Sequence, residues 1–480
     1  MQPRRRYAAL AAASAVAFAG CGGGGGNTPA PAPTDTTPQG TTVNVIDGDT
    51  RAPLVGATVR GFTDAQGINV TAEVPTDANG QALLPPGTVL AQAIAADHDP
   101  DARRLPVGRS TLTIPLYDPR VQSLEYGGGP TRTRYVPRVD LPTPPADPAW
   151  EWPPGGTGKA LLEFPPAVAK GVVALTTNKG RIVVLRARTG DVIWTKRHAE
   201  TAPIAASPAI VTDKNMVLVA GMDGRLVAYD LEPPGRALWT FSTGQSKIES
   251  SPLVSDGTVY IGAHNGRLYA VSLDGSGTTR TARWTFQAAG DIKGSIAKSG
   301  NTIVFGDYSG TLYALNTSGT ELWRRQVGKR LYGGPAISGN TVVIGDVGGA
   351  VIAVDLTTGA QLWRRSTNGA EVYSSPAIAK GKVFIGSYNG QFQALNLKTG
   401  AVAWTFDAGG RISGSATVVG DVVYTSVLAR KGELNRSYGI DITTGKQRWR
   451  GNDGRYSPAV GAGRTLYIVG RTTLYAYRFP

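Results

Sequence analysis

Cysteine occurs once in these 480 residues, and histidine and methionine three times each. One cysteine excludes an intramolecular disulfide, a CxxC redox pair and any cysteine-based zinc site. The histidines, His98, His198 and His264, are too far apart in sequence for a His-rich metal motif and read as solvated or locally bonded side chains. No phosphate loop and no zinc motif is present, and no apolar run reaches the ~20 residues of a membrane-spanning helix. Met and Glu, good helix formers, are scarce, whereas Gly (63) and Pro (32) are abundant, which favours strands and turns. What is present suffices for a core: 41% of the chain is hydrophobic and 8% aromatic, which excludes wholesale disorder.

Arg4, Arg5 and Arg6 precede the uncharged stretch Tyr7–Phe18, and Ala19-Gly20 lead to Cys21. A basic end, a short apolar run and small residues make an export signal. The run resembles a bacterial lipobox, with Phe18 where Leu is commoner. That resemblance implies cleavage after residue 20 and lipidation of Cys21, which would hold the protein on a membrane. Residues 21–40 follow as a glycine run and a Pro/Thr-rich spacer, the composition of a tether. The expected location is therefore outside the cytoplasm: outer membrane or cell surface, anchored at one end.

Residues 41–120 carry short alternating strands separated by turn signals such as Asp47-Gly48-Asp49 and Thr76-Asp77-Ala78-Asn79-Gly80. This spacing predicts a small β-sandwich. The PLVGATV and TDANG phrases resemble the carboxypeptidase regulatory-like domain, an immunoglobulin-like sandwich, which implies a structural or adhesive module without activity. Residues 121–147, rich in proline towards their end, read as a linker.

From 148 to 480 the chain repeats. Trp194, Trp239, Trp284, Trp323, Trp363, Trp404 and Trp449 are spaced by 39–45 residues, the period of a propeller blade. About a dozen residues after each Trp comes a small-residue phrase, as in Ser251-Pro252 or Ser375-Pro376. Phrases such as Ser250-Ser251-Pro252 suit crowded inner strands and are not nucleophile elbows. A β-branched strand, a tight turn (Asn265-Gly266, Asn389-Gly390), a second strand and a Thr-Gly turn complete each unit. Counted by these phrases, the units predict an all-β, eight-bladed propeller with four strands per blade. Only 22 residues follow Pro458, too few for a full last blade. The segment around Trp152 is therefore expected to supply the missing outer strand, closing the ring and removing its open sheet edges.

The A-x-D/N-x-x-T-G-x-x-x-W pattern, as in Ala353-Val354-Asp355 with Thr358, Gly359 and Trp363, resembles the pyrroloquinoline-quinone (PQQ)-like propeller repeat. The resemblance implies that Trp152 and the seven repeat tryptophans dock between neighbouring blades. It covers two kinds of protein. Quinoprotein alcohol and glucose dehydrogenases hold PQQ over the channel with calcium and a catalytic Asp. The alcohol enzymes stack the quinone on a vicinal disulfide, which a single cysteine cannot form, and long inter-blade insertions are missing here. BamB-like lipoproteins bind partners and catalyse nothing, and anchor, blades and short loops match them better. The expectation is a non-enzymatic, monomeric envelope scaffold with a protein partner and without PQQ, calcium or another cofactor. A PQQ- and calcium-dependent oxidoreductase and an envelope polysaccharide binder are the alternatives.

Of the net charge of +14, the propeller carries all and the first 150 residues slightly less than none. A basic surface attracts acidic proteins, anionic lipid or acidic polysaccharide, and export makes nucleic acid an unsuitable partner. Five positions before each small-residue phrase stand Lys247, Asp291, Arg330, Glu371, Arg411 and Asp453, alternating in sign. Superposed blades would place them as a ring at one mouth of the channel, each beside an opposite charge. There they would clip blades together and meet a partner peptide.

Overall fold

The computed structural model describes residues 40–480 apart from 49, 65–66, 99, 106–109, 119–121, 138–143, 199–201, 429–435, 452–453, 455–458 and 480. Cys21 with its signal and tether, Asp453 and the Ser457-Pro458 phrase lie outside the described residues. Among those described, the regular structure is strand, with 3-10 turns at Pro154–Gly156 and Thr212–Lys214. No helix there is long and apolar enough to cross a membrane.

Two sheets form the N-terminal module. One holds Gln81–Leu84, Thr41–Asp47 and Thr111–Leu116 in that order; the other holds Val70–Pro75, Thr58–Phe62, Leu90–Ile94 and Asp101–Arg104. Alternation decides which side faces in: Val43, Val45, Ile114 and Leu116 from the first sheet meet Val59, Ala91 and Ala93 of the second. Asp101 then reaches across to the propeller, where its carboxylate pairs with Lys170 at 2.6 Å, both side chains almost fully buried.

Eight antiparallel sheets follow in chain order among the described residues. Their inner strands begin at Ala167, Ala209, Leu253, Ala297, Ala336, Ala377, Thr417 and Val460, and we number the blades 1–8 accordingly. Each inner strand has three residues and each outer strand five or six, except in blade 8. There the outer strand is Trp150–Trp152, antiparallel to Leu474–Arg478. The ring thus closes with chain from ahead of blade 1. Leu162, Val168 and Val183 share a core cluster with Val460, Tyr467 and Leu474 across that seam.

The register of this strand corrects one expectation. In blades 2–6 the repeat Trp lies opposite an alanine of the third strand, as Trp363 does with Ala353 and Trp404 with Ala394. In blade 8 the residue opposite Ala476 is Trp150, and Trp152 pairs with Leu474 instead. Trp150 is the docking tryptophan. Its Nε1 donates to Ala187 O of blade 1 at 3.0 Å.

The same bond recurs around the ring. Trp194 donates to Leu231 O, Trp284 to Thr317 O, Trp323 to Leu356 O, Trp363 to Leu397 O and Trp404 to Ile442 O, at 2.8–3.1 Å. The Thr-Gly turn of the next blade explains the geometry. Gly400 has φ +66°, and a Cβ built on it would sit 2.6 Å from Trp363 Cδ2. Only glycine both adopts that conformation and lets the indole lie on the turn. Two tryptophans depart from the rule. Trp239 faces the longer turn of blade 3, and Arg280 covers its ring at 5.4 Å. Trp449 meets blade 8, where the third and outer strands are not consecutive, and packs edge-on against Tyr477.

Within the expected linker of residues 121–147, the described stretch 122–137 is not free chain. Ser123, Leu124, Pro130, Thr131, Thr133 and Arg134 each offer a carbonyl to the middle residue of an inner strand. In that order the donors are Val168, Ile210, Lys298, Ile337, Ile378 and Val418, at 2.7–2.9 Å. The amide of Val254, in blade 3, donates to the Glu125 carboxylate at 2.9 Å. One segment thus visits blades 1–7 in turn, and Tyr135–Val136 pairs parallel to Thr417–Val419. Inner strands bare their unpaired hydrogen-bonding edge to the channel, and buried amides need acceptors. The segment supplies them, and it fills the axis.

Candidate functional site

Antiparallel connectivity puts two sets of loops at one end of every blade: the link from the preceding outer strand, and the turn between second and third strands. Their backbone fixes the mouth of the channel. Asp291 O accepts from Tyr308 N within blade 4, and Ile292 N donates to Ala263 O of blade 3, at 2.9 and 3.1 Å. The pattern recurs at Lys247, Arg330, Glu371 and Arg411, each followed by a fully buried Ile, Leu or Val. These five residues therefore occupy equivalent positions, as the spacing predicted.

Their side chains do something different from the expectation. No ion pair joins Lys247, Asp291, Arg330, Glu371 and Arg411 to one another among the described residues, and all but the half-exposed Asp291 are well exposed. Backbone hydrogen bonds clip the blades, and the charges are left facing outward. The nearest approach to pairing runs through other residues. His264 Nε2 lies 3.2 Å from Glu249 and its Nδ1 4.0 Å from Asp291, while Lys293 approaches Glu249 at 4.0 Å. Burial pushes His264 below the usual imidazole value, against the pull of Glu249.

Inside this rim stand four tyrosines. Tyr308, Tyr332, Tyr373 and Tyr388 come from blades 4, 5, 6 and 6, with successive ring centroids 6.2, 5.4 and 4.6 Å apart. A cation closes each end: Lys293 Nζ lies 4.4 Å from the Tyr308 centroid and the Arg411 guanidinium 5.6 Å from that of Tyr388. Such contacts hold aromatic planes at ~0.5–1 kcal/mol each when exposed. Burial pushes the Tyr308 hydroxyl up to about 12 and raises Tyr332 as well, so both stay neutral donors. Tyr332 and Tyr373 stand two positions after Arg330 and Glu371, so their spacing was a readable signal that charge alone obscured.

Beneath the tyrosines the axis is occupied. Tyr126 places its hydroxyl 3.2 and 3.1 Å from Ser375 and Ser415. Arg134 lies 3.9 Å over its ring. Arg132, 1% exposed, donates to Ile296 O, Pro252 O and Tyr126 O and faces Glu125 at 3.6 Å. Burial raises the Glu125 carboxyl above its usual range, with Arg132 opposing. Sequence reasoning missed this polar interior because Glu-Tyr-Gly-Gly-Gly-Pro has the composition of a loop.

The other two histidines and two buried aspartates are locally engaged. His198 meets Tyr229 OH at 3.1 Å and Asp223 at 3.5 Å, and His98 meets Asp47 at 3.2 Å. Asp307 and Asp346, both fully buried at the mouth, accept backbone amides from Gly290, Ser309 and Lys329 among others. No group of three or more His, Cys, Asp and Glu able to hold a metal occurs among the described residues. Channel residues 125–134 stand on the axis and the buried aspartates are spent on amides. These residues do not fit a quinone held over the channel by a calcium ion.

Repeated Trp, Ala and Thr-Gly positions around one axis make this a β-propeller built of PQQ-like repeats. The family model described as outer membrane protein assembly factor BamB matches residues 143–318 and again 309–455, and the chain belongs to that family. Among curated relatives, BamB of Legionella pneumophila (strain Paris) is 29% identical over 124 residues, covering 24% of this chain and 30% of that protein. The lanthanide-dependent methanol dehydrogenase of Methylacidiphilum fumariolicum (strain SolV) is 35% identical over 85 residues, 16% of this chain and 14% of the enzyme. The chain thus spans under a third of either relative's length. Among solved structures, BamB from Moraxella catarrhalis superposes with a TM-score of 0.56 at 18% identity, over 67% of this chain and 96% of that one. That likeness concerns the fold.

Proposed function

We propose that this protein is a non-catalytic scaffold of the cell envelope. In this reading it is anchored through Cys21 and docks a protein partner at the tyrosine mouth of its propeller, in a BamB-like role in outer-membrane protein assembly. One observation carries the reading: charges on the backbone-clipped loops of blades 3–7 and a row of four tyrosines from blades 4–6 stand together above an axis already occupied by residues 122–136. Tyrosine and arginine are, with tryptophan, the side chains that most often anchor interfaces. The family match and the BamB relatives point the same way. Envelope extract would be passed over immobilised full-length protein, and the captured partner identified and then titrated. Arg330→Glu with Arg411→Glu, and separately Tyr332→Ala with Tyr373→Ala, should each weaken capture about tenfold or more. Unchanged capture by both pairs would remove the mouth as the docking site.

The second reading, a PQQ-dependent oxidoreductase, is favoured by the stretch shared with the methanol dehydrogenase. Incubating the protein with PQQ and calcium or a lanthanide, then following quinone absorbance and dye-linked alcohol oxidation, separates the two. Stoichiometric quinone uptake would favour the enzyme.

A further inference from the structure

On the face away from the tyrosines, a cavity of about 490 Å³ lies between the N-terminal module and blades 1 and 8. That size suits a small-molecule site, and junctions between modules are common places for one. Its charge is one-sided. Arg51 comes from the N-terminal module, Arg186 from the end of the third strand of blade 1 and Arg188 from the turn after it, and Arg464 and Arg478 from blade 8. Lys170, in the same wall, is already neutralised by Asp101 at 2.6 Å. Arg51, Arg186, Arg188 and Arg464 are exposed, and among the described residues none of them is ion-paired. No carboxylate lines the cavity among those residues.

The arginines are also held in place. Arg478 donates from Nη2 to Arg188 O at 2.8 Å, so the last strand of blade 8 pins the turn that carries Arg188. Arg51 has φ +68°, a conformation that a residue with a Cβ adopts at a cost, and its amide is tied to Asp47 O at 2.9 Å. Convergence of uncompensated guanidinium groups is unfavourable unless an anion joins them. Their planar forks match phosphate oxygens two at a time.

We infer that this cleft binds a phosphate-bearing anion with more than one negative charge, either a soluble phosphate or the headgroup of an anionic lipid. Arg186, Arg188 and Arg464 grip the anion, and Arg478 positions Arg188. The apolar patches at Ala187 and Ala462 leave room for the carbon portion of such a ligand.

The test is titration of the full-length protein with pyrophosphate at constant ionic strength, by calorimetry. One site per chain is expected. Arg186→Gln, Arg188→Gln and Arg464→Gln should each weaken it about tenfold or more, the worth of a charge-assisted hydrogen-bond pair. Lys398→Gln and Lys446→Gln, exposed turns of blades 6 and 7, should leave it unchanged. Vesicles of phosphatidic acid in phosphatidylcholine, with and without competing pyrophosphate, then assign the source. Competition means a lipid headgroup, and pyrophosphate binding without vesicle binding means a soluble phosphate. Should a variant fail to fold, protection of the three arginines from phenylglyoxal by pyrophosphate in the unaltered protein reads the same contact. Absent saturable binding, equal losses in the lysine controls, or no protection would each overturn the assignment.

Discussion

Replacing Gly400 by alanine tests how neighbouring blades are locked, and Gly381 supplies its control. Both glycines have positive φ, +66° and +72°. An alanine in that conformation costs ~1–2 kcal/mol, less a few tenths returned through the unfolded chain. At Gly381 nothing lies within 4 Å of the added carbon, so about 1 kcal/mol is the whole effect. At Gly400 the carbon would meet Trp363 Cδ2 at 2.6 Å. The indole must withdraw, at an overpacking cost of ~1–3 kcal/mol, and its 2.8 Å bond to Leu397 O loosens for ~1 kcal/mol more. Gly400→Ala should therefore lose about 2–4 kcal/mol more than Gly381→Ala in urea unfolding followed by circular dichroism. In a Trp363→Leu background the excess should shrink to a few tenths, the coupling expected of residues in contact. Equal losses at the two glycines, or an excess that survives removal of the indole, would refute the wedge.

Trp150→Ala should destabilise the protein by about 3–5 kcal/mol and Trp152→Ala by clearly less, because only Trp150 bonds blade 1 and packs on Gly190. Comparing their urea midpoints checks the register of the closing strand. Glu125→Gln leaves the buried Arg132 without its countercharge and should cost about 3 kcal/mol or more. The double variant, Glu125→Gln with Arg132→Met, should lose less in total than the sum of the two single losses, and strict additivity would contradict the pairing. Burial opposes the charge on Asp223, yet the approach of His198 at 3.5 Å and hydrogen bonds from Arg225 outweigh it and bring the carboxyl down to about 2. The folded value lies below the unfolded one, so this stabilisation is complete above about pH 4 and drains away as pH falls towards 2. Asp223→Asn should flatten that acid limb in a pH series of thermal midpoints.

The repeats were legible because each blade needs the same few residues: small ones where inner strands crowd, Thr-Gly where an indole lies on a turn, Trp on the outer strand. The strand that closes the ring was legible too: the segment around Trp152 pairs with Leu474–Arg478, as expected. Which of two tryptophans docks was not legible, since Trp150 and Trp152 point to the same side of a strand and only pairing with Ala476 decides. The charge ring was half legible. Spacing placed five residues correctly, but alternation of sign suggested pairs that the exposed side chains do not form. Residues 122–136 escaped for a deeper reason. Hydropathy registers apolar burial, whereas this segment is buried through its carbonyls and through Glu125, Arg132 and Arg134, side chains that composition assigns to a surface.

That segment also alters what counts as a transferable module. A gene fragment cut at residue 148, where the repeats begin, would encode a wheel with seven amides opening onto an empty hub, each needing a substitute acceptor at ~1–3 kcal/mol if none is found. Recombination that moves this propeller between proteins must therefore bring about 25 residues from upstream of its first blade or evolve replacements.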